Sequence, residues 1–340
     1  VSAETPTYRA VAVAADGSLK LVHRPLRDPA AGQVRLRVEA CGICHTDGLA
    51  VHEHPESEPG LVPGHEVVGV IDALGEGVTG WRIGDRVGVG FLGGHCGACD
   101  PCRRGDFVHC ADQPLTGVTV DGGYAEVMIA RASGLVAIPE TLASDVAAPL
   151  LCAGITTYNA ILKADVLPGS TVAIQGIGGL GHLGVQYAHH LGMRTIAIAR
   201  GTEKADFARE LGADHYVDAQ DPAAAVAELT ALGGADLVVA TAASGASSSA
   251  LIAGIATNGT LMVVGASSDP VSVSTTDLVM RGIRVRGSLT GSPIENEGNL
   301  AFAARHGVRP MIETATLEDA APAYARMSSG AARFRMVLVP

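Results

Sequence analysis

Seven cysteines stand where chemistry could use them: Cys41, Cys44, Cys96, Cys99, Cys102, Cys110 and Cys152. Four of these, Cys96, Cys99, Cys102 and Cys110, run as C-x2-C-x2-C-x7-C, too crowded for most disulfide geometry. The total is odd, which also favours metal ligation over a disulfide framework. Four thiolates close a tetrahedral shell around zinc and leave no place for substrate, so this run predicts a structural ion. An iron–sulfur cluster is a second reading, since C-x2-C-x2-C also opens ferredoxin runs, although the fourth interval differs. Free thiols are a third. The other candidates are scattered over Cys41-Gly-Ile-Cys44-His45-Thr46-Asp47, Gly64-His65-Glu66 and Leu151-Cys152. Two thiolates and an imidazole make an open zinc set, with a fourth position for water or substrate. Spacing alone does not assemble these pieces. By itself His65 reads as a structural histidine and Cys152 as a small buried hydrophobe.

A different chemistry is written at Thr171–His182, TVAIQGIGGLGH. Gly176, Gly178 and Gly181 have the G-x-G-x-x-G spacing of a dinucleotide loop. The first makes the turn out of a strand, the second lets backbone approach a pyrophosphate, and the third lets the helix pack on the sheet. The following helix N-terminus offers unpaired N–H groups to phosphate. An NAD site usually carries a carboxylate at the end of the next strand. Here Thr195–Ala199 ends in Ala199, followed by Arg200, so NADP(H) is favoured over NAD(H). Glu203 is nearby and reads as a helix opener.

The elements that must position these groups differ along the chain. From Val1 to about Leu151, β-branched clusters lie between Gly and Pro signals at Ala10–Ala14, Gln33–Ala40, Glu66–Leu74, Arg86–Val89, Gly123–Ala130 and Leu135–Ile138. After about Ala153, short apolar runs at Thr171–Gln175, Thr195–Ala199, Asp236–Thr241, Thr260–Gly265 and Ile283–Leu289 alternate with helical segments. Those segments are Leu180–His190, Glu203–Leu211, Pro222–Leu232, Ser247–Ala256 and Thr275–Met280. That alternation predicts a parallel sheet covered on both faces. Helices at Glu295–Arg305 and Glu318–Met327 and a strand at Arg335–Val339 form the tail. The 340 residues carry 24 Lys and Arg against 35 Asp and Glu, a net charge of −11. This balance argues against a general nucleic-acid or anionic-membrane surface. No apolar run approaches a span of about 20 residues. Val1–Ala15 lacks a basic flank before an apolar core, so no secretory signal is expected and a cytoplasmic location is.

Taken together, CGICHTD (41–47), GHE (64–66), the four-Cys loop (96–110), LLCAGITTY (150–158) and the glycine loop resemble the zinc-dependent alcohol dehydrogenases of the medium-chain dehydrogenase/reductase family. The match covers nearly the whole chain, in the family's order. The resemblance implies an α/β fold: a doubly wound Rossmann domain, residues 153–290, inserted in a GroES-like mostly-β domain of residues 1–152 and 291–340. It gives the catalytic zinc Cys44, His65 and Cys152, with Glu66 as an acidic neighbour able to enter its shell, and the structural zinc the four-Cys run. Asp47 would orient His65, and Thr46 would take the alcohol proton. His45 and Arg335 would contact the pyrophosphate, Thr156 and Leu180 the nicotinamide, and Lys204 the adenosine ribose. Gly179, Ala199, Arg200, Gly265 and Leu289 complete the expected cofactor contacts. Leu49 stands where many relatives have a relay histidine, and His52 is the nearby substitute. Phe91, Leu92, Trp81 and Leu289 are candidates for a substrate pocket.

The implied activity is reversible hydride transfer between an alcohol, primary (aromatic included) or secondary, and NADP, with NAD the alternative. Other readings are a zinc-free quinone reductase, a polyol or formaldehyde dehydrogenase, and a non-catalytic relative. A zinc-stabilised nucleic-acid-binding protein is opposed by the acidic charge. The expected partners are a small-molecule substrate and further copies of the chain, as a homodimer or homotetramer paired through Ile283–Leu289, with no nucleic acid and no membrane.

Overall fold

The structure is a computed structural model and describes residues 6–52 and 60–340. The first five residues, part of the segment read above for a secretory signal, lie outside them. The chain runs through strands β1 (Thr7–Val13), β2 (Leu19–Pro25), β3 (Gln33–Ile43), β4 (Glu66–Leu74), β5 (Arg86–Val89), β6 (Val127–Arg131) and β7 (Leu135–Ala137). Then come β8 (Thr171–Gln175), β9 (Arg194–Ala199), β10 (His215–Asp218), β11 (Ala235–Ala240), β12 (Ile255–Val263) and β13 (Arg284–Gly287). Strands β14 (Ile312–Ala315) and β15 (Arg335–Leu338) close the chain. Two compact units result: a split unit, Val1–Cys152 with Thr290–Pro340, and an inserted unit, Ala153–Leu289.

In the split unit, β14-β15-β3-β4-β5-β7 lie side by side, β6 also pairs with β3, and β1 and β2 form a separate hairpin. The long central strand β3 alternates buried and partly exposed residues before becoming buried throughout from Ala40. Its core gathers Val34, Leu36, Val38, Ile43, Val67, Ile71, Val87, Val89 and the fully buried Tyr124. Trp81, one of the candidates for a substrate pocket, is partly buried and packs against this core.

The inserted unit has six parallel strands in the order β10-β9-β8-β11-β12-β13. Strands β8, β9 and β11 are almost wholly buried, as a sheet covered on both faces requires. The order reverses between β8 and β11, and in such sheets ligands bind beyond the carboxyl ends of the strands at the reversal. The glycine loop leaves the carboxyl end of β8.

Three local expectations are corrected. The helix expected at Ser247–Ala256 is Gly245–Ala250, with a short turn at Ile252–Gly254, and Ile255 already opens β12. β-branched Ile255 takes the extended backbone that its side chain prefers. Strand β10 was not anticipated, since only Val217 in it is fully buried. Ser144–Leu162 forms 19 residues of helix, interrupted by one π turn, and is apolar enough in length and composition to cross a membrane. Most of it is buried among the residues around it and it carries Cys152, which marks a core helix.

Candidate active site

Two groups of metal-binding side chains are present among the described residues, and they are the two the sequence suggested. Cys44, His65, Glu66 and Cys152 offer ligand atoms all within 4.8 Å of one another, and all four residues are buried. Cys96, Cys99, Cys102 and Cys110 do the same within one loop. All seven cysteines are free thiols. Both groups lie in the split unit.

Strand register explains the first group. Gly42 on β3 faces Glu66 on β4 and Val337 on β15. Side chains two residues apart share a face of a strand, so Cys44, Glu66 and Arg335 come to one face. Gly42 is required for space, not for backbone conformation. A Cβ there would run into the Glu66 carboxylate, lying 2.9 Å from Cδ and 3.0 Å from Cβ of Glu66. After Ile43 the chain enters a short turn, His45–Asp47, that brings Asp47 back beneath the cluster. Asp47 is fully buried and organises three neighbours. Its Oδ2 accepts from the Cys44 backbone N–H at 2.8 Å and from the Tyr124 hydroxyl at 2.7 Å, and its Oδ1 lies 2.8 Å from His65 Nδ1. Phe91 meets the His65 ring edge-on at 5.3 Å. Thr46 Oγ1 lies 3.7 Å from Cys44 Sγ.

The donor set suits a cation. His65 Nε2 and Glu66 Oε2 are buried without a hydrogen-bond partner, and such atoms cost roughly 1–3 kcal/mol each unless something occupies them. The Cys152 thiol, and then His65, hold the Cys44 thiol well below its usual range. Burial opposes a charged His65, but Asp47 and the Cys44 sulfur lift its pKa well above the usual value. Burial pushes the Glu66 carboxyl up to about 7, even against the neighbouring Arg335. Cys41, three residues before Cys44, is fully buried and burial raises its thiol pKa far up; it belongs to neither group.

The four-Cys loop is cradled by backbone amides. Cys96 N–H points to Cys110 Sγ at 3.3 Å, Ala98 and Cys99 N–H to Cys96 Sγ at 3.4 Å, and Ala111 N–H to Cys99 Sγ at 3.5 Å. The Ala111 amide foremost pulls the Cys99 thiol down to about 6. Donors aimed at sulfur favour thiolates, the form that binds metal.

The expected cofactor residues divide between the units. In the inserted unit, Gly176 has φ +88°, a conformation that favours glycine. A Cβ at Gly178 would meet nothing within 4 Å, whereas one at Gly181 would collide with the Gly176 carbonyl. One glycine turns, one leaves open space, and one packs. Gly179 and Leu180 are partly exposed beside them. Lys204 Nζ donates to the Ile177 carbonyl at 2.8 Å, tying the next helix to the loop. Ala199 ends β9 half-buried, Arg200 is exposed, and Gly201 N–H donates to Asp218 Oδ1 at 2.7 Å. Thr156 is buried in helix Ile155–Leu162, Gly265 follows β12, and Leu289 is exposed.

In the split unit, His45 is exposed. Arg335, expected at a pyrophosphate, is buried and paired with the Glu66 carboxylate. The two charges share one sheet face inside the core, where each is the other's compensation. Sequence reasoning missed this pair, the Tyr124–Asp47 bond, and two buried asparagines on helix Pro293–His306. Asn296 and Asn299 donate to the carbonyls of Leu151 and Leu150 beside Cys152. A Gly facing a Glu across two strands was the only signal available for any of them. Leu92 is buried, and His52 is exposed with its ring 5.9 Å from that of Tyr324.

Residues 179–312 match the zinc-binding dehydrogenase family, and residues 30–140 match the alcohol dehydrogenase GroES-like domain. An alcohol dehydrogenase of Geobacillus stearothermophilus is 40% identical over 309 residues, 90% of this chain and 92% of that one. A cinnamyl alcohol dehydrogenase structure from Sorghum bicolor superposes with a TM-score of 0.88 at 34% identity, over 98% of both chains. The CAD of Helicobacter pylori, complexed with NADP(H), gives a TM-score of 0.86 at 27% identity, again over 98% of both.

Proposed function

This chain belongs to the zinc-type alcohol dehydrogenases of the medium-chain dehydrogenase/reductase family, and on that premise we propose that it is a zinc-dependent, NADP(H)-preferring dehydrogenase of primary alcohols, aromatic ones included, and reductase of their aldehydes. The observation that carries the reading is the buried set of Cys44, His65, Glu66 and Cys152, which fits one cation. A zinc ion held there supplies Lewis acidity toward an alcohol or carbonyl oxygen. Asp47 draws the imidazole proton of His65 onto Nδ1 and leaves the Nε2 lone pair for the metal. Glu66 keeps one oxygen on Arg335 and leaves the other unpartnered. Thr46 takes the alcohol proton at its hydroxyl. Leu49 has no group to pass that proton on, so it leaves through water or by way of His52.

The glycine loop would hold the pyrophosphate of the dinucleotide, with Gly178 as the point of close approach. Ala199 removes the carboxylate that would repel a 2′-phosphate, and exposed Arg200 offers it a charge. Edge-on Phe91 beside His65 suits a flat apolar substrate, which agrees with the likeness to cinnamyl alcohol dehydrogenases. The four-Cys loop would take a second, structural zinc. Strand β13 is an exposed sheet edge next to Val279 and Met280, 78% and 76% exposed, and suits pairing with a second copy. Free thiols in both clusters fit a reducing cytoplasm.

Initial rates of NADPH and NADH oxidation with benzaldehyde on one zinc-replete preparation test this. The proposal expects turnover with a strong NADPH preference. An NADH preference would overturn the cofactor assignment alone. No turnover from protein carrying zinc in both clusters would overturn the activity.

A further inference from the structure

Cys152 stands in an unusual piece of backbone. Helix Ser144–Pro149 ends on a proline, which brings no N–H to the ladder. The chain then passes through a single π turn, Leu150–Gly154, with Cys152 at its centre. A π turn loosens the regular ladder, and any buried carbonyl it frees needs a donor from elsewhere. Leu150 and Leu151 are wholly buried.

Two side chains from helix Pro293–His306 donate to carbonyls of this turn. Asn299 Nδ2 donates to the Leu150 carbonyl at 3.0 Å, and Asn296 Nδ2 donates to the Leu151 carbonyl at 3.1 Å. Asn299 Nδ2 also donates to Asn296 Oδ1 at 3.1 Å, which joins the two amides into one unit. Residues three apart share a helix face, so both reach the same turn. From the other side Gly90 closes on the Leu151 carbonyl: a Cβ there would stand 3.0 Å from that oxygen and 3.6 Å from Asn296 Nδ2. Buried amides are costly in a core that needs only packing. Here both are spent on the carbonyls that precede a metal-site cysteine.

We infer that Asn296 and Asn299 are positioning residues, which hold the π turn open and so set where Cys152 Sγ stands relative to Cys44 and His65. The inference rests on the reading of Cys44, His65 and Cys152 as a zinc set. The test follows zinc release from purified holoenzyme to a chromogenic chelator, with cobalt(II)-substituted protein as a spectroscopic second readout. Cys152→Ser first identifies the pool of metal that depends on this cysteine. In Asn299→Leu, and in the milder Asn296→Ser should the first not fold, that pool is expected to leave roughly 10–100-fold faster. The four-Cys pool should keep its rate, and the thiolate-to-cobalt absorption should shift. In a Cys152→Ser background the asparagine changes should have no further effect on release. Unchanged release and an unchanged cobalt spectrum in folded Asn296→Ser would overturn the inference. So would equal acceleration in the Cys152→Ser background, which would make the asparagines general packing groups. If Cys152→Ser itself changes neither metal content nor release, the zinc set is wrong and the inference falls with it, whatever the asparagine variants do.

Discussion

Gly42→Ala separates a demand for space from a demand for backbone freedom. Gly42 is in an ordinary strand conformation, so alanine there should gain about 0.5–1 kcal/mol from a stiffer unfolded chain. Its Cβ, however, would overlap the Glu66 carboxylate, within 2.9 Å of Cδ. Glu66 is fully buried and is paired with Arg335, whose side chain is 3% exposed, so displacing the carboxylate strains that pair. Breaking a buried pair by displacing one partner costs about 3–5 kcal/mol, because the other charge is left uncompensated. The net loss is then roughly 2–4 kcal/mol, or roughly 4–16 °C in the unfolding midpoint of a unit this size. The assay is a double-mutant cycle by thermal unfolding with Gly42→Ala, Glu66→Ala and the pair. With the carboxylate removed, only the 3.0 Å approach to the remaining Cβ of residue 66 is left, so Gly42→Ala should cost at least about 1 kcal/mol less in that background than in the parent. Equal losses in both backgrounds would refute the reasoning, because the methyl would then be clashing with something other than the carboxylate.

Tyr124→Phe removes a buried bond to the Asp47 carboxylate and should lower stability by about 1.5–3 kcal/mol, while chelators strip metal from the His65 site faster. Cys44→Ser should abolish alcohol oxidation, whereas Cys99→Ser should lower the unfolding midpoint and leave turnover measurable below it; identical behaviour would deny the two clusters separate tasks. Ala199→Asp should weaken NADPH by roughly tenfold or more and improve NADH, read from KM values for the two cofactors.

Features that depend on neighbours in sequence were legible before the structure. Strands β4, β5 and β8 occupy the residues that their β-branched runs and flanking turns indicated. The three glycines of the dinucleotide loop do separate jobs within a few residues of chain, so their spacing announces them. The four-Cys loop is as local. Features that depend on long-range pairing were not. Asn296 reaches Leu151 across 145 residues, and Tyr124 reaches Asp47 across 77. Arg335 illustrates the difference best. The resemblance implied a pyrophosphate contact for it, and only the antiparallel register of β15 on β3 reveals that it shares a face with Glu66.

The breaches of local rules converge on one place. A glycine sits where a central strand gains nothing from it, a proline ends a helical ladder early, a π turn follows, and amides, a carboxylate and a guanidinium are buried together. Each is destabilising taken alone, and sequences are otherwise consistent from level to level. The glycine and the guanidinium meet Glu66, the π turn carries Cys152, and the proline and the amides act at residues 149–151 just before it. Cys41 serves as the internal control. It is buried like Cys44 and only three residues away, yet Gly64 and Gly123 leave room for its sulfur, and burial raises its thiol pKa, whereas Cys152 and then His65 outweigh burial at Cys44 and lower it. One thiol was fitted into a core; the other had a core rearranged around it. That contrast is independent of any motif, and it supports the proposed place of Cys44 in the zinc set.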